Sequence, residues 1–450
     1  MKLLSVSGLI SAVLFCSCDS GLTEEFVFPD PSASENIEIY SERTYTPDNF
    51  CEFIGNSLSD YVNSYFSEEA NVIFQMTAKN AFDRGRQAVD RQVAREKRTI
   101  ELVARGMWKV KKIDYAYWTV SFNGSPMRAS ASLIVPALND DNTAHMLSAL
   151  SLCCPQNSLT KESYPTKMGT LLMSRVAFNH AVVVPDYEGR GISSHFQFAS
   201  MALVSHARQS IDAELAALTI LRDKGYELSE DFGTYNIGVS EGCGVSYIAQ
   251  KMIENDIPSA QRDRINLIST FAANGTPNGG TAFVDDVLGN LEYTSEEMYM
   301  YTMGTFAEYF RMLPESERGG YEADVLQTHE ILKNGKVDMS HPAIQALRNG
   351  FARNSIDYNW VPKHRLTFEA SEDDAYINVN VQILPIYEML RNKPDGIPNK
   401  NVILHLFTTP VTALASTYLG EDASALTHLM ADFLSFCRTM DNLDPSIIDE

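Results

Sequence analysis

Cysteine is scarce and badly spaced for pairing. Seven occur in 450 residues, and two of them, Cys16 and Cys18, stand in the opening segment. The remaining five, Cys51, Cys153, Cys154, Cys243 and Cys437, are an odd and scattered set. That pattern excludes a disulfide framework. With no CxxC and no Cys/His pair at zinc-ligand spacing, it also offers no structural metal. Basic charge is short as well: 36 Lys and Arg face 58 Asp and Glu, a net charge of -22. A surface that acidic repels phosphate backbones, which argues against a nucleic-acid partner. Beyond the first residues no apolar run reaches the ~18 residues that a spanning helix needs.

What remains is the balance of a globular protein, with 44% hydrophobic and 21% charged residues,. The length suits one large α/β domain with insertions, or two ordinary domains. The start has the layout of a targeting segment: Lys2, then an apolar run from Leu3 to Phe15 diluted by Ser and Gly,. It ends at Phe15-Cys16-Ser17-Cys18, which resembles the lipobox of bacterial lipoproteins. Ser17 before Cys18 fits that pattern, and Phe15 departs from its usual Leu. The resemblance implies a signal over residues 1–18, lipid attachment at Cys18, and export to the cell envelope with the membrane as a partner. Plain secretion is the alternative.

Residues 19–46 carry Pro29, Pro31 and several acids without sustained periodicity, and predict a tether,. Residues 47–106 predict a helical extension. Ala78, Ala81, Phe82, Gly85, Ala88, Val89 and Val93 recur at three- and four-residue steps, a stripe too small-sided to sustain a heptad,. From residue 107 the period changes. Lys109 to Phe122 alternates, Asn123-Gly124 signals a hairpin turn, and Met127 to Val135 returns,. Apolar runs at Met146–Leu152, Ala181–Pro185, Tyr235–Val239 and Ile265–Phe271 follow, separated by helical stretches. After an interruption over residues 276–360, two more runs appear at Arg365–Ala370 and Val402–Phe407, and a helix around Leu429–Arg438 closes the chain. Strands alternating with helices predict an α/β class with a mainly parallel sheet and an antiparallel opening hairpin. The core would span residues 107–275 and 361–445, with a helical cap at 276–360.

Gly238-Val239-Ser240-Glu241-Gly242 matches G-x-S-x-G. The string alone is weak, but here a short apolar strand precedes it and a helical stretch follows. Chemistry explains the glycines. So sharp a turn strains the Ser backbone, and a Cβ at either neighbouring Gly would clash. The turn exposes Ser240 Oγ and aims a helix N-terminus at the oxygen that becomes negative in acyl transfer.

At this point the chain resembles the α/β-hydrolase superfamily, especially its secreted lipase and esterase branches. Val184-Pro185-Asp186-Tyr187-Glu188-Gly189 resembles the PDY-x-G turn of secretory lipases, and Ser132-Leu133-Ile134-Val135-Pro136 resembles the strand after their opening hairpin. The resemblance implies the order nucleophile, acid, base. Phe368 to Ile377 resembles the H-G-x-x-D-x-x-V-P stretch, with Asp373 at the acid position and Asp374 one residue out of register. Of the two His residues late enough in the chain, His405 lies inside an apolar strand, whereas His428 opens the last helix, where the family's base sits. The implied machinery is therefore Ser240, Asp373 and His428, acting on a small-molecule ester with no cofactor. The oxyanion hole would use the Glu241 N–H, with Leu152 or Cys153 as the second backbone donor, in a stretch that lacks the family's glycine. The adjacent thiols Cys153 and Cys154 suit packing better than redox chemistry. A peptidase of the same fold and a catalytically silent ligand-binding lipoprotein are the competing readings. The Met- and Tyr-rich segment from Met298 to Met312, with Tyr301 and Phe306, suits either an apolar substrate pocket or the packing of the cap.

Overall fold

The computed structural model describes residues 28–50, 109–137, 146–154, 179–198, 200–290, 296–356, 360–372, 377–392 and 396–408, with the isolated residues 52, 56, 91, 94 and 374. Side chains of residues 290–302 are outside that set. The expected signal with Cys18, nearly all of the 47–106 extension, Asp373 and His428 with its helix lie outside the described residues.

Strand formation begins at the hairpin. Val110–Val120 (β2) and Pro126–Pro136 (β3) pair antiparallel without a break, from Val110 opposite Pro136 to Val120 opposite Pro126. Gly124 in the turn takes φ +82°, which its lack of a Cβ permits,. Glu38–Tyr45 (β1) pairs antiparallel with β2. This strand corrects the expectation of a tether through residue 46. It is an edge strand with no residue fully buried, so it shows neither the apolar run nor the alternation that marks a strand in sequence,.

The sheet then turns parallel. Leu147–Cys154 (β4), His180–Pro185 (β5), Leu228–Val239 (β6), Leu267–Ala273 (β7), Arg365–Ser371 (β10) and Val402–Phe407 (β11) complete nine strands in the order β1-β2-β3-β5-β4-β6-β7-β10-β11. Only β3 and β5 meet antiparallel within this second part. All eight expected strands are present. The central ones are covered on both faces, and every residue of β5 is buried,. β7 starts two residues later than its apolar run, because Ile265 ends a short helix whose C-cap, Asn266, is left-handed at φ +49°,.

Leu203–Asp223 (α1) and Glu241–Asn255 (α2) pack against each other and the sheet, with Ser259–Ile265 (α3) following. Between β7 and β10 lie Thr281–Asn290 (α4), Glu296–Met312 (α5), a minimal hairpin of Leu332–Lys333 (β8) and Lys336–Val337 (β9), and Pro342–Phe351 (α6). Val379–Gln382 (α7) and Leu384–Arg391 (α8) connect β10 to β11. The helical character expected for residues 276–360 is present. The side chains of Met303, Phe306, Tyr309, Phe310 and Met312 are buried. The Phe306 ring sits 5.8 Å from that of Phe283 and 5.6 Å from that of Phe351, so Phe306 is packing and not pocket lining. The Tyr301 side chain lies outside the described residues.

One helix carries an acid into the core. Glu214 of α1 is fully buried. Burial pushes it up to about 8, offset in part by the Thr234 hydroxyl. An unfolded Glu ionises near ~4.3. Between that pH and about 8 the folded chain retains a proton that the unfolded chain releases, so stability falls as pH rises through this window,. Glu214→Gln removes the titration. It is expected to leave stability near wild type at pH 4.5 and to raise it at pH 8 by on the order of 3 kcal/mol. Urea melts at the two pH values check this; an equal difference at both would show that Glu214 does not titrate.

Candidate active site

Ser240 sits between β6 and α2 with φ +58° and ψ -121°. A side chain held there costs roughly 1–3 kcal/mol, and such conformations persist only where the surroundings enforce them. The surroundings here are backbone. The Ser240 N–H donates to Ala273 O at 3.0 Å, and Ser240 O accepts from Cys243 N at 3.0 Å. A Cβ on Gly238 would run into the carbonyl oxygen of Gly242, and one on Gly275 into Ser240 O. Both positions therefore require glycine. Glu241 opens α2 directly after Ser240, so the positive end of a four-turn helix faces the serine,.

The ends of β7 and β10 hold a buried carboxyl group. Asp374 is 8% exposed. Its Oδ2 accepts from Asn274 Nδ2 at 2.7 Å, and its Oδ1 from the Ile377 N–H at 3.0 Å. Asn274 is fully buried in a left-handed conformation at φ +39°. Its N–H donates to Glu369 O at 2.6 Å, and its Oδ1 accepts from the Ser371 N–H at 3.2 Å. Asn274 follows Ala273, whose carbonyl holds Ser240, so a single residue step links the serine turn to the carboxylate. Asn274 was not foreseen. Its only sequence signal is the Asn-Gly pair after a strand,.

At the base of β10, Glu254 of α2 is buried and accepts from Trp360 Nε1, the Lys363 N–H, the His364 N–H and Gln250 Nε2, and faces His364 Nδ1 at 2.9 Å. Burial pushes this carboxyl up, but the His364 side chain and the surrounding donors outweigh it and hold it below its ordinary value,. The cluster clips the serine helix to the strand that leads to Asp374. His405 stands opposite Glu369 across β10 and β11, with its Nδ1 3.6 Å from Oε1. It is a cross-strand partner of Glu369.

The PDY-x-G turn anchors β5 to the hairpin. Asp186 Oδ2 accepts from Ser130 Oγ at 2.5 Å, and a Cβ on Gly191 would overlap both. Glu188 accepts from the Phe122 N–H at 2.5 Å, and burial pushes it up to about 7. Phe122 in turn meets Tyr309 of the cap edge-on at 5.4 Å.

The expected second oxyanion donors, Leu152 and Cys153, both lie on β4. β4 runs on to Cys154, two residues beyond the apolar run, because both cysteines are buried and continue the ladder. Leu152 pairs with Val183 on one side and Asn236 on the other, so its N–H belongs to the sheet. Cys153 pairs with Ile237 and lies one residue short of the strand end. Cys154 stands beside Gly238, which brings the end of β4 next to the serine turn. Residues 155–178, which follow it, lie outside the described residues. Cys153, Cys154 and Cys243 are buried, and burial pushes the thiols of Cys153 and Cys154 up, away from thiolate chemistry,. Among the described residues no cluster of His, Cys, Asp and Glu is arranged to hold a metal.

No protein-family model and no curated protein matches the chain. Solved structures do. The rice cell wall degrading esterase LipA from Xanthomonas oryzae aligns with 90% of this chain and 97% of its own, at 16% identity and a TM-score of 0.56. Its ligand-bound form gives 0.53 over the same coverage. A protein from Legionella pneumophila described as a hydrolase aligns with 92% of this chain and 99% of its own, at 12% identity and a TM-score of 0.52. With strand order, serine turn and these likenesses together, the chain has the α/β-hydrolase fold.

Proposed function

We propose that this chain is a serine hydrolase that cleaves carboxylic esters through an acyl-enzyme on Ser240. The observation that carries the reading is the strained Ser240 backbone at a strand-to-helix turn where two neighbouring positions admit only glycine. Strain of this kind is retained where it serves function. In this mechanism His428 takes the Ser240 proton as the Oγ attacks the acyl carbon, and the acid fixes the His tautomer and stabilises the imidazolium. The alcohol leaves with the proton returned by His428, and water, activated by the same His, releases the acyl group. The acid lies at 373–374. Asp374, buried and accepting two hydrogen bonds, has the support a triad acid needs,. The Glu241 N–H is one oxyanion donor, and the other comes from Cys153 or a residue that follows β4. The esterase named among the similar structures supports the substrate class.

The test is a substrate panel. The purified protein is expected to turn over p-nitrophenyl acetate and butyrate, and to leave aminoacyl p-nitroanilides intact. Faster cleavage of the anilides would replace the esterase reading with a peptidase. No turnover of either class would favour a silent ligand-binding protein.

A further inference from the structure

The side chain of Glu241 is buried, with 4% exposure. Its Oε1 accepts from the Met201 N–H at 2.7 Å and lies 3.1 Å from His206 Nδ1. His206 is itself buried and stacks flat on Tyr187 at 4.0 Å, which fixes the ring that faces the carboxylate. Met201 is a non-glycine residue at φ +64°, a conformation that needs enforcement from both sides,. Glu241 holds its N–H. Its carbonyl accepts from Asn354 Nδ2 at 2.6 Å. Asn354 is 2% exposed and belongs to the last turn of the cap, directly after α6. A continuous set of hydrogen bonds therefore runs from the cap, through one residue with positive φ, to the first residue of the serine helix.

We propose that Glu241 and Asn354 are positioning residues that make the aim of the oxyanion N–H depend on a seated cap. This rests on the acyl-transfer reading above. The physical reason is that the N–H and the carboxylate belong to the same residue. If the Asn354 bond is lost, Met201 can relax, the carboxylate loses its fixed donor, and the Glu241 peptide loses its lateral restraint. Oxyanion donors act through sub-ångström placement, so the loss appears in the chemical step more than in substrate binding.

The experiment measures kcat and KM on p-nitrophenyl butyrate, with thermal melts, for Glu241→Ala, Glu241→Gln, Asn354→Ala and the double Ala variant. Wild-type turnover comes first; its absence would count against the hydrolase reading and not against the coupling. Given turnover, Glu241→Ala and Asn354→Ala are each expected to lower kcat by roughly 10–100-fold with KM changed less than about threefold. The double variant should fall little below the worse single one, because both cut the same path. Glu241→Gln keeps an acceptor for the Met201 N–H and should recover most of the loss. Should Glu241→Ala not fold, Asn354→Ala, which leaves Glu241 itself unchanged, carries the test alone. A folded Asn354→Ala with wild-type kcat overturns the proposal, as do multiplying single effects or losses that follow only the melting temperature.

Discussion

Ser240→Ala is expected to lower kcat on p-nitrophenyl butyrate by roughly 10⁵–10⁶-fold, the scale seen when a triad serine is removed. The melting temperature should stay close to wild type. Both expectations follow from the same geometry. The Oγ is the only atom removed, and the bonds that define the turn, Ser240 N–H to Ala273 O and Cys243 N–H to Ser240 O, are backbone. Alanine retains a Cβ and therefore the strain, so no relaxation confuses the comparison. Hydrolysis within tenfold of wild type in a folded variant would remove Ser240 from the mechanism.

Asp374→Asn should lower kcat by roughly 10⁴-fold with the fold retained. Asn has the same outline but brings an NH2 group. Asp374 now accepts from Asn274 Nδ2 and the Ile377 N–H. With the amide, at least one of these donors would face another donor. The charge that stabilises an imidazolium is also gone. Asp373→Asn, measured beside it, should cost at least a hundredfold less. The reverse ranking would assign the acid to Asp373, the register that the sequence pattern favours.

The two carboxylates show where sequence reading ends. The serine turn is legible because its determinants are consecutive: an apolar strand, G-x-S-x-G and an amphipathic helix lie within about twenty residues,. The parallel strands are legible for the same reason, since each is a short apolar run between helical stretches. β1 is not, because an edge strand with mostly exposed residues carries no apolar pattern. β4 runs two residues past the expected apolar run because Cys153 and Cys154, small hydrophobes when buried, extend its ladder,. Asn274 and Asp374 are 100 residues apart, and Met201 and Asn354 153 apart. No local period brings such pairs together; the crossing of strand ends does. Phe306 illustrates a different limit. An aromatic and Met-rich helix face suits a pocket or a core equally, and only its neighbours Phe283 and Phe351 decide for the core,.

Fluorophosphonate labelling of the purified chain tests the central claim most directly, because the reagent phosphonylates a serine only where a base and an oxyanion site activate it. The expected result is stoichiometric labelling, with the adduct on the peptide that contains Ser240 and none in Ser240→Ala. An unlabelled, folded wild-type protein, or an adduct on any other serine, would contradict it.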